Sequence, residues 1–214
     1  LLENTFRHVN IALVNEMARV CHELQIDIWE VIRGAATKPF GFMKFTPGAG
    51  VGGHCIPIDP NYLSYEVRRR LGYPLRFVEL AQEINNSMPS YVVERIAEKL
   101  NDEKKAVNGA KVLLLGVTYK PNIADQRESP AVPVARELLK RRANVQFHDP
   151  FVPVWNIGSG ESLSSEQDLQ KAVSEADIVV LLQAHSPYDV AELQTNSNLF
   201  LDTCGVVDAP SDRL

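Results

Sequence analysis

Three cysteines, at positions 21, 55 and 204, are too few, too far apart and odd in number to make a disulfide framework. No CxxC or Cys/His spacing suggests a zinc site, so no metal is expected. No apolar run approaches the length of a membrane span, and the first residues do not read as a signal peptide, so no membrane partner is expected. Lys and Arg number 22 against 27 Asp and Glu, and the net charge of −5 argues against nucleic acid as the main partner. Free thiols in such a chain fit a reducing, cytoplasmic setting. What remains is an ordinary globular composition, 45% hydrophobic and 23% charged, over a length that suits one large domain or two small ones.

The most informative stretch is Pro47-Gly-Ala-Gly-Val-Gly-Gly-His-Cys-Ile-Pro-Ile-Asp-Pro60. Gly48, Gly50, Gly52 and Gly53 allow positive φ and close backbone approach to a ligand. Cys55 follows at once, and a helical pattern begins near Asp59 and Pro60, which read as N-cap and first helical residue. A thiol at such a place has two routes to activation. The positive helix end favours a thiolate, and backbone N–H groups can stabilise an oxyanion. The alternative is a buried structural cysteine, but its neighbours are small and polar rather than apolar.

Elsewhere the periodicity divides the chain at a polar linker, 101–108. Before it, residues 1–100 read as helical. Leu2, Phe6, Val9, Leu13, Met17, Val20 and Leu24 fall at steps of three and four, which predicts one long helix, a shape often used between subunits. On the pattern alone Asn4 reads as a solvated polar residue. Asp27 caps a short helix with Trp29, Ile32 and Val31 inward. Residues 37–47 form a loop whose aromatics, Phe40, Phe42 and Phe45, are expected to pack beneath it. A helix from Pro60 stops at Gly72, and another over 75–100 should kink or break at Pro89. From 109 to 214, strands expected at 111–115, 145–148, 178–182 and 199–202 alternate with helices at 129–142, 167–176 and 187–194, with a Gly/Ser loop over 158–165. The class is therefore α/β, a helical region followed by an open parallel sheet. Ligands of such sheets lie at the carboxyl ends of the strands, where Lys120 and Arg127 could clamp a phosphate or Asp125 and Arg127 could form a surface ion pair. No GxGxxG follows the first strand, which argues against a dinucleotide site in this half.

GVGGHCIPIDP at 50–60 and GVTYKPNIADQRESP at 116–130 resemble the UDP-glucose/GDP-mannose dehydrogenase family, and LLENTFRHVNIALVNE at 1–16 resembles its central dimerisation helix. The resemblance implies a homodimer built through that helix and a Rossmann-like C-terminal UDP-sugar domain. It also implies that an NAD-binding domain precedes Leu1, without which this stretch would not turn over. The implied reaction oxidises C6 of a nucleotide sugar from alcohol to carboxylate with NAD. Cys55 matches the nucleophile that forms a thiohemiacetal and then a thioester. Asp59 matches the carboxylate that moves protons or positions water, and Asn4 matches an oxyanion donor. Tyr119, Lys120 and Arg127 match substrate-binding positions, and the glycines at 48–53 would lie along the substrate. Cys204 stands where the family often has Arg, which implies weaker nucleotide contacts or contacts from elsewhere. His54 before the cysteine and Ile58 before the aspartate resemble members acting on UDP-N-acetylhexosamines, with UDP-N-acetylmannosamine favoured over UDP-N-acetylglucosamine or UDP-glucose. A competing chemistry, a cysteine hydrolase, would need His148 or His185 to reach Cys55, because adjacent His54 is poorly placed as its base.

Overall fold

The structure, a computed structural model, describes residues 1–158, 160–208 and 212–214. Helices α1 (Leu2–Glu23), α2 (Ile28–Ala36), α3 (Cys55–Leu71) and α4 (Arg76–Asp102) form the first half. The second half holds β1 (Lys111–Leu115), α5 (Ala131–Lys140), β2 (Asn144–His148), β3 (Val154–Gly158), β4 (Glu161–Ser164), α6 (Leu169–Glu175), β5 (Ile178–Leu181), α7 (Val190–Asn196) and β6 (Phe200–Asp202). Strands β2-β1-β5-β6 make one parallel sheet in that order.

Helix α1 turns its small and polar residues inward. His8, Ala12, Asn15, Ala18 and Cys21 are buried, whereas Leu2 is 83% and Leu13 54% exposed, with Phe6, Met17, Val20 and Leu24 also open. Small side chains let α4 approach closely, and polar ones are matched there. The Asn15 amide donates to Asn85 Oδ1 at 2.9 Å, and Asn15 Oδ1 accepts the Gly48 N–H at 3.0 Å. The Asn85 amide donates in turn to the His8 carbonyl at 3.2 Å. This buried network fixes the start of the glycine loop against two helices.

Burial also holds the His8 imidazole below its ordinary value, and does the same to His148. Above about pH 6.5 these rings are neutral whether the chain is folded or not. As pH falls below that, the unfolded chain takes protons that the folded one refuses, so stability is lost. Urea unfolding should therefore show a lower midpoint at pH 5.5 than at pH 7.5, with a shallower fall in a His8→Asn variant. A midpoint independent of pH in this window would contradict the assignment.

Helix α4 is continuous through Pro89, so the expected break does not occur there. Proline removes the bond to the carbonyl four residues back. That carbonyl belongs to Asn85 and faces Gly50, whose added Cβ would lie 3.5 Å from it. Tertiary packing compensates for the lost bond, because Met88, Val92, Val93, Ile96 and Leu100 of α4 enter the main core with β-sheet residues. Within β1, Val112 and Leu114 face this core, and Leu113 and Leu115 face a second one with α6 and α7, the period of two expected of a strand covered on both faces.

Other local expectations also shift. Cys55, not Asp59, is near the start of α3: His54 takes the cap position, and Asp59 and Pro60 lie inside the helix. Pro57 falls in the first turn, where backbone N–H groups have no helical partner, so helix can begin ahead of both prolines. Asp27 does cap α2 by accepting the Trp29 N–H, but Val31 faces outward. Phe40, at 82% exposure, and Phe42 do not pack under the 37–47 loop; Phe45 meets Phe6 edge-on. The expected 158–165 loop is largely strand, with β3 and β4 forming an antiparallel hairpin in which Trp155 and Ile157 alternate inward; Ser159 lies outside the described residues. Helix α5 spans a shorter range than 129–142, and Ser129 Oγ accepts the Ala131 N–H at 3.3 Å. Helix α7 starts after its cap, Asp189, rather than at Pro187.

Candidate active site

The parallel topology gathers residues 116–120, 148–149, 182–185 and 202–204 at one edge of the sheet, and the glycine loop crosses in front of that edge. Between them lies a cleft of about 740 Å³. Its walls come from both halves: Arg7 and Ile11 of α1, residues 43–52, Thr118 to Lys120, Ser129 to Ala131, and Gln183, Thr203 and Cys204. Arg7, Lys44 and Lys120 are its charged lining residues, and among the described residues no carboxylate lines it. Arg7 is already paired with Glu3 at 3.2 Å, so in a chain with net charge −5 Lys44 and Lys120 give this cavity a local positive charge suited to an anion.

Cys55 stands beside this cleft at the N-terminus of α3 and is exposed. Asp59 is four residues further on, so both side chains share one helix face. The Asn4 amide donates to Asp59 Oδ2 at 2.7 Å, tying α1 to α3 at that point. Cys55, Asp59 and Asn4 thus form one cluster, and the reading of Asn4 as merely solvated is corrected. Arg7, one turn beyond Asn4, was missed; the signal for it was its i+3 spacing, which puts both on neighbouring positions of α1.

Gly48, Gly50 and Gly52 line the cleft, but Gly52 and Gly53 are needed chiefly for the approach of the second half. A Cβ on Gly52 would fall 2.6 Å from Tyr119 Cβ and 2.8 Å from the Glu128 carbonyl oxygen. Gly53, at φ 87°, lies against the Tyr119 ring and donates its N–H to the Arg127 carbonyl at 3.2 Å. Tyr119 and the Arg127 carbonyl are therefore the contacts through which the 118–127 segment meets the glycine loop. Lys120 is exposed within the cleft. Arg127 is drawn into an ion pair: its Nε and NH2 groups donate to Asp125 at 3.0 and 2.6 Å. The hydrogen bonds of that pair pull the Asp125 carboxyl down to about 2. They also raise the guanidinium, to which nearby Tyr119 and Cys55 add smaller contributions. As the chain stands, Arg127 makes the surface ion pair and Lys120 alone of the two lines the cavity.

Cys204 occupies a different environment from Cys55. Burial first, and the Asp202 carboxylate second, push its thiol up to about 12, and its sulfur points at the Leu181 carbonyl at 3.8 Å. Cys21 is buried. Iodoacetamide at pH 8 should therefore label Cys55 well before either of the others, as read by peptide mass spectrometry; labelling of Cys204 at a comparable rate would contradict this placement.

Neither distant histidine serves Cys55. His185 has no side-chain exposure and is bonded to Asp149, and His148 Nδ1 is 3.1 Å from the Tyr188 hydroxyl. Burial would raise the Asp149 carboxyl, but hydrogen bonds from His185, Phe151 and Val117 outweigh it and hold Asp149 below the ordinary carboxylate range. The hydrolase arrangement is absent among the described residues.

Two models of one family match the chain: the central domain of the UDP-glucose/GDP-mannose dehydrogenase family over residues 1–87, and its UDP binding domain over residues 113–209. The chain belongs to the UDP-glucose/GDP-mannose dehydrogenase family. Among its relatives, a UDP-N-acetyl-D-mannosamine dehydrogenase of Methanococcus maripaludis is 36% identical over 188 residues, covering 88% of this chain and 40% of the relative. A UDP-N-acetyl-D-glucosamine 6-dehydrogenase of Pseudomonas aeruginosa is 35% identical over 192 residues, covering 88% and 43%. The solved UDP-D-ManNAc dehydrogenase of Pyrococcus horikoshii superposes with a TM-score of 0.82 at 29% identity, covering 98% of this chain and 48% of that one. The chain thus spans less than half the length of these relatives.

Among the described residues, helix α5 begins well after β1 rather than directly at its end, and the Val117 N–H is taken by Asp149 at 2.8 Å. No helix among the described residues is long and apolar enough to cross a membrane.

Proposed function

We propose that this chain is the substrate-binding and nucleophile-bearing part of a UDP-sugar 6-dehydrogenase, acting on the C6 hydroxymethyl group of a UDP-N-acetylhexosamine. The observation that carries this reading is the acid-free cleft with Arg7, Lys44 and Lys120 on its walls and Cys55 at its side. Its positive charge suits a diphosphate. A thiol at the beginning of a helix suits covalent capture of an aldehyde at the other end of the same substrate. The names of the relatives favour an N-acetylated hexosamine, and His54 and Ile58 beside the nucleophile agree with UDP-N-acetylmannosamine. The hydride acceptor of the complete protein is NAD, and the expected result for the 214-residue chain alone is UDP binding without NAD binding or turnover.

The roles of the side chains follow from their positions. The Cys55 sulfur adds to C6 of the aldehyde, giving a thiohemiacetal. NAD, when bound, would take a hydride from C6 at the alcohol and again at the thiohemiacetal. Water then attacks the resulting thioester carbonyl carbon and the sulfur leaves as thiolate. Asp59 accepts the proton of that water. One hydrogen of the Asn4 amide holds Asp59 at 2.7 Å; the second is free to donate to the oxygen on C6 as charge gathers there. Lys120 and Lys44 hold the diphosphate, and Arg127 joins them when it exchanges Asp125 for phosphate.

The complete protein, followed by NADH formation, should use UDP-N-acetylmannosamine or UDP-N-acetylglucosamine better than UDP-glucose, and GDP-mannose least. Preference for GDP-mannose would overturn the assignment.

The exposed apolar row on α1 supports a homodimer, because contiguous surface of this kind marks an interface. Replacing Leu13 and Val20 together by Glu should leave the fold intact, since both are already exposed, and convert a dimer to a monomer in sedimentation. An unchanged sedimentation coefficient would place the interface elsewhere.

A further inference from the structure

One buried histidine is left idle by the chemistry above. His185 follows β5, and Asp149, just past β2, lies 3.0 Å from its Nε2. Its Nδ1 accepts the backbone N–H of Asn122 at 2.9 Å. A peptide N–H can only donate, so Nδ1 is bare and Nε2 carries the proton that goes to Asp149. Asp149 is in turn fixed by the N–H groups of Val117 and Phe151, each at 2.8 Å. The tautomer is thereby set from both sides.

Asn122 is held a second time. It adopts φ 63°, and its Oδ1 accepts from the Ser186 N–H at 2.8 Å and the Ser186 hydroxyl at 2.9 Å. Two adjacent residues of the sheet edge thus grip one residue of the 118–127 segment. That segment has no regular secondary structure to fix it. Yet it carries Lys120 in the cleft, Tyr119 against Gly53, and the Arg127 carbonyl that accepts the Gly53 N–H. A histidine used only to fill space would need no directed bond to an exposed stretch of backbone. A buried polar pair is also costlier than an apolar side chain of the same volume.

We propose that His185 is a positioning residue: through Asn122 it sets the 118–127 segment so that Lys120 meets the diphosphate and Tyr119 meets the nucleophile loop. The ligand in this statement rests on the nucleotide-sugar reading; the tether does not.

Two variants of the complete protein test it. In His185→Gln the side chain keeps a donor for Asp149 but cannot also reach the Asn122 N–H. In Asn122→Gly the positive φ and the N–H are kept, and only the grip on Ser186 is lost. Both should weaken UDP binding by about tenfold or more, and raise KM while kcat changes by less than about twofold. Amide hydrogen exchange of residues 118–127 and of Gly53 should quicken by about tenfold, with the β-strands unaffected. Asn122→Asp, which keeps an acceptor and tolerates this φ, should restore UDP affinity to within about threefold. Unchanged UDP affinity and unchanged exchange in His185→Gln, which alone of the two removes the acceptor for the Asn122 N–H, would overturn the proposal. So would a loss in both variants that appears only as faster exchange throughout the sheet. Should the unmodified protein fail to bind UDP, the nucleotide-sugar reading falls, and the exchange measurement still decides the tether.

Discussion

Replacing Cys55 by Ser in the complete protein lowers turnover to carboxylate by about a thousandfold or more, while Cys204→Ser changes it by less than about twofold. A hydroxyl is a far weaker nucleophile than a thiol near neutral pH, and an alkoxide leaves an acyl carbon less readily than a thiolate. The serine variant is therefore expected to stop at the aldehyde. Position and protonation, rather than full burial, separate the two cysteines, since Cys204 is half-buried. Cys55 is exposed at the start of α3, next to the cleft and in line with Asp59. Cys204 is kept protonated beside Asp202, with its sulfur against the Leu181 carbonyl. Equal losses from the two changes would show that the reaction uses a different nucleophile.

The second large effect is expected at Gly52. Its missing side chain leaves room for Tyr119 Cβ and the Glu128 carbonyl oxygen, at 2.6 and 2.8 Å from where a Cβ would stand. Neither is the free end of a flexible chain, so Gly52→Ala must push the glycine loop and the 118–130 segment apart. The Gly53 N–H then loses the Arg127 carbonyl. Overpacking of this kind costs about 2–3 kcal/mol, which in a chain of this size lowers Tm by about 4–10 °C. UDP binding should fall by about tenfold or more, because the cleft is bounded by both displaced segments. Gly34→Ala, in α2 and away from the cleft, is the control: its Cβ would have nothing within 4 Å. Matching melting curves and UDP affinities for the two variants would refute the close approach as the reason for glycine at 52.

Much of this was legible in the sequence where a single residue type forces a local outcome. Asp27 caps α2, Gly72 ends α3 in the left-handed region, and the apolar run before Gly116 is an inner strand of a parallel sheet. Other features depend on information a linear pattern does not contain. Asp59-Pro60 looks as good a helix start as the real one, because the tolerance of Pro57 in a first turn shows only once the glycine loop is placed. The hairpin over 154–164 was hidden by Gly and Ser, although Trp155 and Ile157 alternate within it. The steps of three and four in α1 gave the helix but not the direction of its apolar face, since spacing is the same whether a stripe meets a core or a second subunit. The inward face instead uses His8 and Asn15, whose partner Asn85 is 70 residues away from Asn15.

The cleft posed a similar difficulty. Cys55, Asp59 and Lys120 stood out by motif, but Arg7 lies on a helix that reads as an interface. Its place in the wall follows from α1 packing beside α3 with Asn4 bonded to Asp59. Arg127 was legible as a cation near the helix start, and the same few residues supplied its competing partner, Asp125.

The most direct test weighs the tryptic peptide 45–68, which contains both Cys55 and Asp59. In the complete Asp59→Asn protein, acid quenching after one turnover with a UDP-N-acetylhexosamine and NAD should yield this peptide carrying the sugar nucleotide as an acyl group on sulfur. An unmodified peptide at quench times when two NADH per site have formed and no carboxylate has yet been released would contradict covalent capture by Cys55.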